Sequence, residues 1–142
     1  MWFRCLKFTK KERFWVYETG NRINGSPAAG DGFTAFGGCD ALVHVVSLVS
    51  GRKVREIDAG ANIAASAALV DGKAYVGQYE HEFLAVDLKE GRILWRYKDR
   101  SFPFMSSPAV AGDRIVVGSH DKRVHCIRRD TGEAVWTFAT RG

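Results

Sequence analysis

The chain predicts an all-β fold, a β-propeller segment of four-stranded antiparallel blades, and three features of the sequence carry that prediction. First, Trp15, Arg55, Trp95 and Trp136 follow one another at spacings of 40, 40 and 41 residues. Second, Ser26, Ser66 and Ser107 open matching segments, and Gly37, Gly77 and Gly118 each close a short apolar run. Third, no stretch holds a helical period. A repeat near forty residues means stacked copies of one supersecondary unit, and without helices the unit is four strands, as in a propeller blade.

The last copy is the clearest. Its strands are read as 107–111, 114–118, 123–127 and 134–138. Asp31-Gly32, Asp71-Gly72 and Gly112-Asp113 are two-residue turns of the kind that close a tight hairpin, so the first two strands of each copy are antiparallel neighbours. Lys89-Glu90-Gly91 and Asp130-Thr131-Gly132-Glu133 supply the turn between strands three and four. At the N-terminus, Cys5 lies ten residues before Trp15, as Cys126 lies ten before Trp136. Residues 2–6 and 12–18 are therefore a third and a fourth strand. The expected division is a half blade over 1–25, then blades over 26–65, 66–106 and 107–142, about three and a half in all. An open arc of that size leaves apolar faces and strand edges to be covered, by further blades of a longer parent chain or by self-association.

The run from Asp130 to Trp136 resembles the tryptophan-docking motif of the pyrroloquinoline-quinone-type propeller repeats, and so do Asp87 to Trp95 and Ser107 to Gly118. The resemblance implies a bacterial chain in which Trp15, Gly91, Trp95, Gly132 and Trp136 are structural, the indoles filling gaps between blades where turn glycines allow close approach. Arg55 replaces tryptophan in the copy from Ser26, which predicts weaker blade packing there. Three functional classes share such repeats: binding scaffolds such as the outer-membrane assembly lipoproteins, quinoprotein dehydrogenases, and sensor propellers fused to signalling modules such as kinases. The dehydrogenases need eight blades around a quinone, a calcium ion and, commonly, a vicinal cysteine pair, which this chain lacks. The reading adopted is a non-enzymatic scaffold for protein partners, with a cell-envelope location implied by the resemblance alone.

Composition limits the alternatives. The formal net charge is +5, but six basic and two acidic side chains fall within residues 1–25, and the remainder is close to balanced. Arg4, Lys7, Lys10, Lys11 and Arg13 are read as a solvated turn and its flanks, not a phosphate-binding patch, so no nucleic-acid partner is expected. No apolar run is long enough to span a membrane as a helix, and no membrane insertion is expected. No signal peptide is visible. Cys5 and Cys126 share one strand position with Val45 and Ala85, and they read as small core residues, not disulfide partners.

The sequence assigns no catalytic, cofactor-binding or metal-binding residue. Asp40, Glu80 and Asp121 recur in register in the loops between second and third strands, which favours a loop-fixing hydrogen bond over catalysis. His44 and His125 occupy equivalent third-strand positions, matched by Leu84, and are read as packing residues. His81 and His120, in the same loops, are weak candidates for partner contact. The connector around Phe102, Phe104 and Met105 is unusually apolar and is the main candidate contact surface, the alternative being that it closes over the neighbouring blade.

Overall fold

The computed structural model describes residues 2–6 and 13–141, and these form fourteen strands. Strands β1 (Trp2–Leu6) and β2 (Arg13–Glu18) pair into a two-stranded sheet. The first complete blade is β3 (Ala28–Gly30), β4 (Phe33–Gly37), β5 (Leu42–Ser47) and β6 (Lys53–Asp58). The second is β7 (Ala68–Val70), β8 (Lys73–Gly77), β9 (Phe83–Asp87) and β10 (Arg92–Tyr97). The third is β11 (Ala109–Ala111), β12 (Arg114–Ser119), β13 (Arg123–Arg128) and β14 (Ala134–Ala139). In every sheet, sequence neighbours are hydrogen-bonded neighbours and all pairings are antiparallel. The fold is thus the β-propeller segment that the repeats predict. Glu12, read as opening β2, and the basic turn at Lys7, Lys10 and Lys11 lie outside the described residues.

The middle strands explain why the sequence alternates so little. β4, β5, β8 and β9 are buried along nearly their whole length, because a blade has a neighbour on each face and both faces must be apolar. The core is accordingly three slabs between sheets. One joins Phe3, Trp15 and Tyr17 to Phe36 and Val46. The next joins Val43, Val45 and Ile57 to Val76, Leu84 and Val86. The last joins Tyr75, Phe83 and Tyr97 to Phe104, Ile115 and Ile127. By contrast β14 is exposed throughout.

The two turn families lie at opposite ends of the blades. At one end, Leu48, Leu88 and Arg129 donate backbone N–H bonds to Gly32, Gly72 and Asp113, tying the turn between strands three and four to the first hairpin. At the other end, Cys39, Tyr79 and His120 donate backbone bonds to Arg22, Asn62 and Pro103, tying each loop between strands two and three to the connector from the preceding blade. The hairpins at Asp31-Gly32 and Asp71-Gly72 have positive φ at both central residues, whereas in the third only Gly112 does. The third hairpin is therefore of a different primed type, with the glycine placed first.

Candidate functional site: the blade seams and the connector end

Each seam is built by one residue from the fourth strand of a blade and one glycine in the next. The Trp15 indole N–H donates to the Leu48 carbonyl at 2.8 Å, and Trp95 donates to the Arg129 carbonyl at 3.0 Å. The ring lies flat against a turn glycine: a Cβ on Gly51 would come within 2.4 Å of Trp15, and one on Gly132 within 2.6 Å of Trp95. Both glycines also hold positive φ, 70° and 76°, so two separate constraints select glycine there. Gly91 has the same role for Arg55, whose guanidinium and stem cover it. Trp136 has no blade to meet among the described residues and is 47% exposed.

Beside two of these docking contacts lies a buried polar chain. In the first seam, Asp40 Oδ2 is 2.9 Å from His44 Nε2, and His44 Nδ1 is 3.3 Å from the Tyr17 hydroxyl of the preceding blade, which also donates to Glu56. In the third seam the same chain recurs, with Asp121 Oδ2 at 3.0 Å from His125 Nε2 and the Tyr97 hydroxyl at 3.0 Å from Nδ1. Asp40 and Asp121 use their other oxygen to accept from the backbone N–H of Leu42 and Arg123. Burial, reinforced by Glu56, pushes the Tyr17 phenol up to about 12. Burial, then Asp99 and Asp121, does the same to Tyr97. The middle seam is apolar instead: Ile57 stands where the tyrosines are, Leu84 where the histidines are, and both are core.

These chains refine what the loop acids do. Asp40 and Asp121 fix their loops and also grip a histidine on the following strand. Glu80, the third member of the register, is exposed, and its blade has Leu84 at the third-strand position where the other two have the histidine. The recurrence is therefore not one shared role. Asp99, Asp121 and His125 are close enough to suggest a metal-ligand set. However, both ring nitrogens of His125 already have partners, Nε2 with Asp121 and Nδ1 with the Tyr97 hydroxyl. The arrangement suits a hydrogen-bond relay that locks the ring.

The candidate contact residues separate. Phe104 is 2% exposed and packs against Phe83, Tyr97 and His125. It belongs to the core and cannot present a surface, because its backbone and Cβ crowd Gly77. The missed signal is its register: Ile23, Ile63 and Phe104 are spaced by 40 and 41 residues, each the apolar plug of a connector. Ile63 is fully buried and crowds Gly37 as Phe104 crowds Gly77. Phe102 is exposed and Met105 half-buried. His81 sits half-buried at positive φ, in register with Ala41 and Lys122, which share that conformation, and its Nδ1 is buried without a partner among the described residues. His120 is exposed, and no hydrogen bond among the described residues joins it to His81. Tyr79, not singled out by the sequence, is exposed at the same end beside a shallow depression of about 320 Å3 lined by Ala41, Gly60, Ala61, Asn62 and Glu80. Cys5, Cys39 and Cys126 are all free thiols.

A sequence model of the family described as outer membrane protein assembly factor BamB matches residues 9–140. The chain belongs to that family. It is 27% identical over 127 residues to outer membrane protein assembly factor BamB of Salmonella typhimurium (strain LT2), covering 82% of this chain and 32% of the relative. It is also 41% identical over 76 residues to the quinoprotein ethanol dehydrogenase of Pseudomonas putida, covering 46% of this chain and 12% of the relative. Among solved structures, BamB from Moraxella catarrhalis superposes with a TM-score of 0.83 at 20% identity, over 93% of this chain and 42% of that one. A europium-containing methanol dehydrogenase gives 0.86 at 13% identity, over 97% and 38%. These structural likenesses establish the propeller fold. The chain spans about a third of the length of the BamB relatives it matches.

Proposed function

We propose that this chain is a non-enzymatic propeller segment acting as a binding platform in outer-membrane protein assembly, in the cell envelope. The observation that carries the reading is the employment of its buried polar groups. His44 and His125 are engaged at both ring nitrogens, and their carboxylates are engaged with ring and backbone alike. Rings so occupied, and only 1% exposed, hold blades together and are closed to a substrate. The longer alignment with the BamB relatives, over 82% of this chain, supports the same choice. The exposed end carrying Tyr79, Phe102 and His120 supplies the contact surface, since exposed aromatic residues on loops held by a rigid scaffold are suited to binding.

The second reading is a blade set from a quinoprotein dehydrogenase, and the 41% identical stretch shared with the ethanol dehydrogenase favours it. One pair of titrations separates the two. The chain is titrated with a purified, unfolded outer-membrane β-barrel protein, followed by fluorescence anisotropy, and separately with pyrroloquinoline quinone plus calcium, followed by absorbance. The scaffold reading expects saturable barrel-protein binding that Phe102→Ser weakens at least several-fold with unchanged melting behaviour. Saturable quinone binding without barrel-protein binding supports the dehydrogenase reading instead.

A further inference from the structure

The seam between the first two complete blades is hollow at its connector end. The depression of about 320 Å3 there is lined by Ala41, Gly60, Ala61, Asn62, Tyr79 and Glu80. Small residues make the room: one blade further on, His81 is in register with Ala41 and Phe102 with Ala61. The polar wall is unusual for this chain because its acid is unemployed. Asp40 and Asp121, at the same position in the other blades, each hold a histidine and a backbone N–H. Leu84 gives Glu80 no ring to hold, and among the described residues the Glu80 carboxylate has neither a hydrogen bond nor an ion pair. Glu82, by contrast, is paired with Arg96 at 2.7 Å, and that guanidinium also donates to the Ala59 carbonyl. Beside Glu80, the Tyr79 ring is 51% exposed.

The loop that carries Glu80 is short of donors. Among the described residues, buried side-chain atoms without a hydrogen-bond partner occur at Tyr75, Gln78 and His81, so two of the three belong to this loop. Gln78 is 3% exposed and its amide nitrogen already donates to Glu82, which leaves an acceptor, Oε1, unmatched. A wall with a free carboxylate and a phenol face, on an acceptor-rich loop, is complemented by positive charge and N–H donors. The alanines and glycine opposite are complemented by an aliphatic stem. An arginine side chain brings both, since its apolar stem ends in a planar guanidinium with five donors that also stacks on aromatic rings. We infer that this depression is a binding pocket for a basic side chain of a partner chain, arginine in preference to lysine. The guanidinium pairs with Glu80 against the Tyr79 ring, and the stem lies on Ala41 and Ala61. The inference rests on the reading of the connector end as a contact surface and adds the chemistry that this surface selects. One exposed ion pair and one cation–π contact are individually weak, so the pocket discriminates between partners more than it supplies affinity.

The test titrates the full, isotope-labelled chain with a blocked tripeptide, glycine-arginine-glycine, and with counterparts carrying lysine, glutamine or glutamate in the middle, followed by backbone amide chemical shifts. The formal net charge of +5 repels a cationic peptide in general, so saturable binding reports a local site. The expected result is saturation with the arginine peptide at Ala41, Asn62, Tyr79 and Glu80, weaker binding of the lysine peptide, and none of the other two. Glu80→Gln and Tyr79→Leu should each weaken the arginine peptide by about two- to fivefold, the scale of one exposed ion pair or cation–π contact. Both residues are exposed, so the melting temperature should not move. Equal binding of the arginine and glutamine peptides, saturating shifts confined to other residues, or an arginine affinity untouched by Glu80→Gln would overturn the pocket. The pocket and the scaffold reading fail separately. Binding of the arginine peptide without binding of the unfolded barrel protein supports the pocket and removes the scaffold reading. Binding of the barrel protein without the arginine peptide keeps the scaffold reading and overturns the pocket.

Discussion

Tyr97 shows how much of a seam rests on one atom. Its hydroxyl is the partner of a histidine 1% exposed, so Tyr97→Phe keeps the ring packing against Phe104 and removes only the bond. The expected loss is about 1–3 kcal/mol, the penalty for a buried group left unsatisfied, read as a lower denaturant midpoint with unchanged m-value. The same phenols set an alkaline limit. Tyr17 and Tyr97 are raised to about 12 in the folded chain, while an unfolded tyrosine loses its proton near pH 10. Below about pH 10 both states hold the proton and the contribution is intact; above it the unfolded state releases its protons first, so stability falls as pH rises towards 12. Replacing both tyrosines with phenylalanine should lower stability at neutral pH and flatten its decline above pH 10. At this scale the tryptophans and turn glycines were legible because they recur in all but one copy. The Asp–His–Tyr chain was half legible: the acid and histidine register was visible, but the tyrosine belongs to the preceding blade, and only the docked geometry brings it to the ring. For Phe104 the structure bears out the alternative reading, a connector that closes over the neighbouring blade, and its register with Ile23 and Ile63 is the signal in the sequence that distinguishes the two.

The strands and hairpins were readable to within a residue or two, since turn pairs bound each apolar run. What the sequence hid is a bulge in the fourth strand of every sheet. The register between third and fourth strands shifts between Cys5 and Leu6, Val45 and Val46, Ile93 and Trp95, and Cys126 and Ile127. In each case one residue goes unmatched just before the docking position: Phe14, Val54, Leu94 or Val135. A bulge breaks the two-residue alternation, so a strict period misassigns the side on which the tryptophan emerges. Deleting Leu94 should therefore turn Trp95 away from Gly132 and cost about as much as losing a buried tryptophan, roughly 3–5 kcal/mol. Near-native stability in the deletion variant would show that the bulge does not aim the ring. The apolar middle seam bears on Arg55, where weaker packing was expected from the missing indole. Its continuous aliphatic core between Val45 and Val86 offsets part of that loss.

At the scale of the whole molecule, the repeat number and its phase follow from four marker positions, which is why the half blade was legible from Cys5 and Trp15 alone. Function was far less so, because propellers of one repeat class serve several chemistries and the repeats themselves encode packing. The account rests on one statement about the described residues: blades are joined by a side chain docked on the next blade, and the third blade has the same side chain on a face that no other described blade covers. The direct test is to compare Trp95→Ala with Trp136→Ala in the same chain by chemical denaturation. The two residues have the same strand position and differ in whether a described blade receives the ring. The expected result is a loss of about 3–5 kcal/mol for Trp95→Ala and less than about 0.5 kcal/mol for Trp136→Ala, as for other surface replacements. Equal losses would contradict the account, since Trp136 would then stabilise the chain without a blade to receive it.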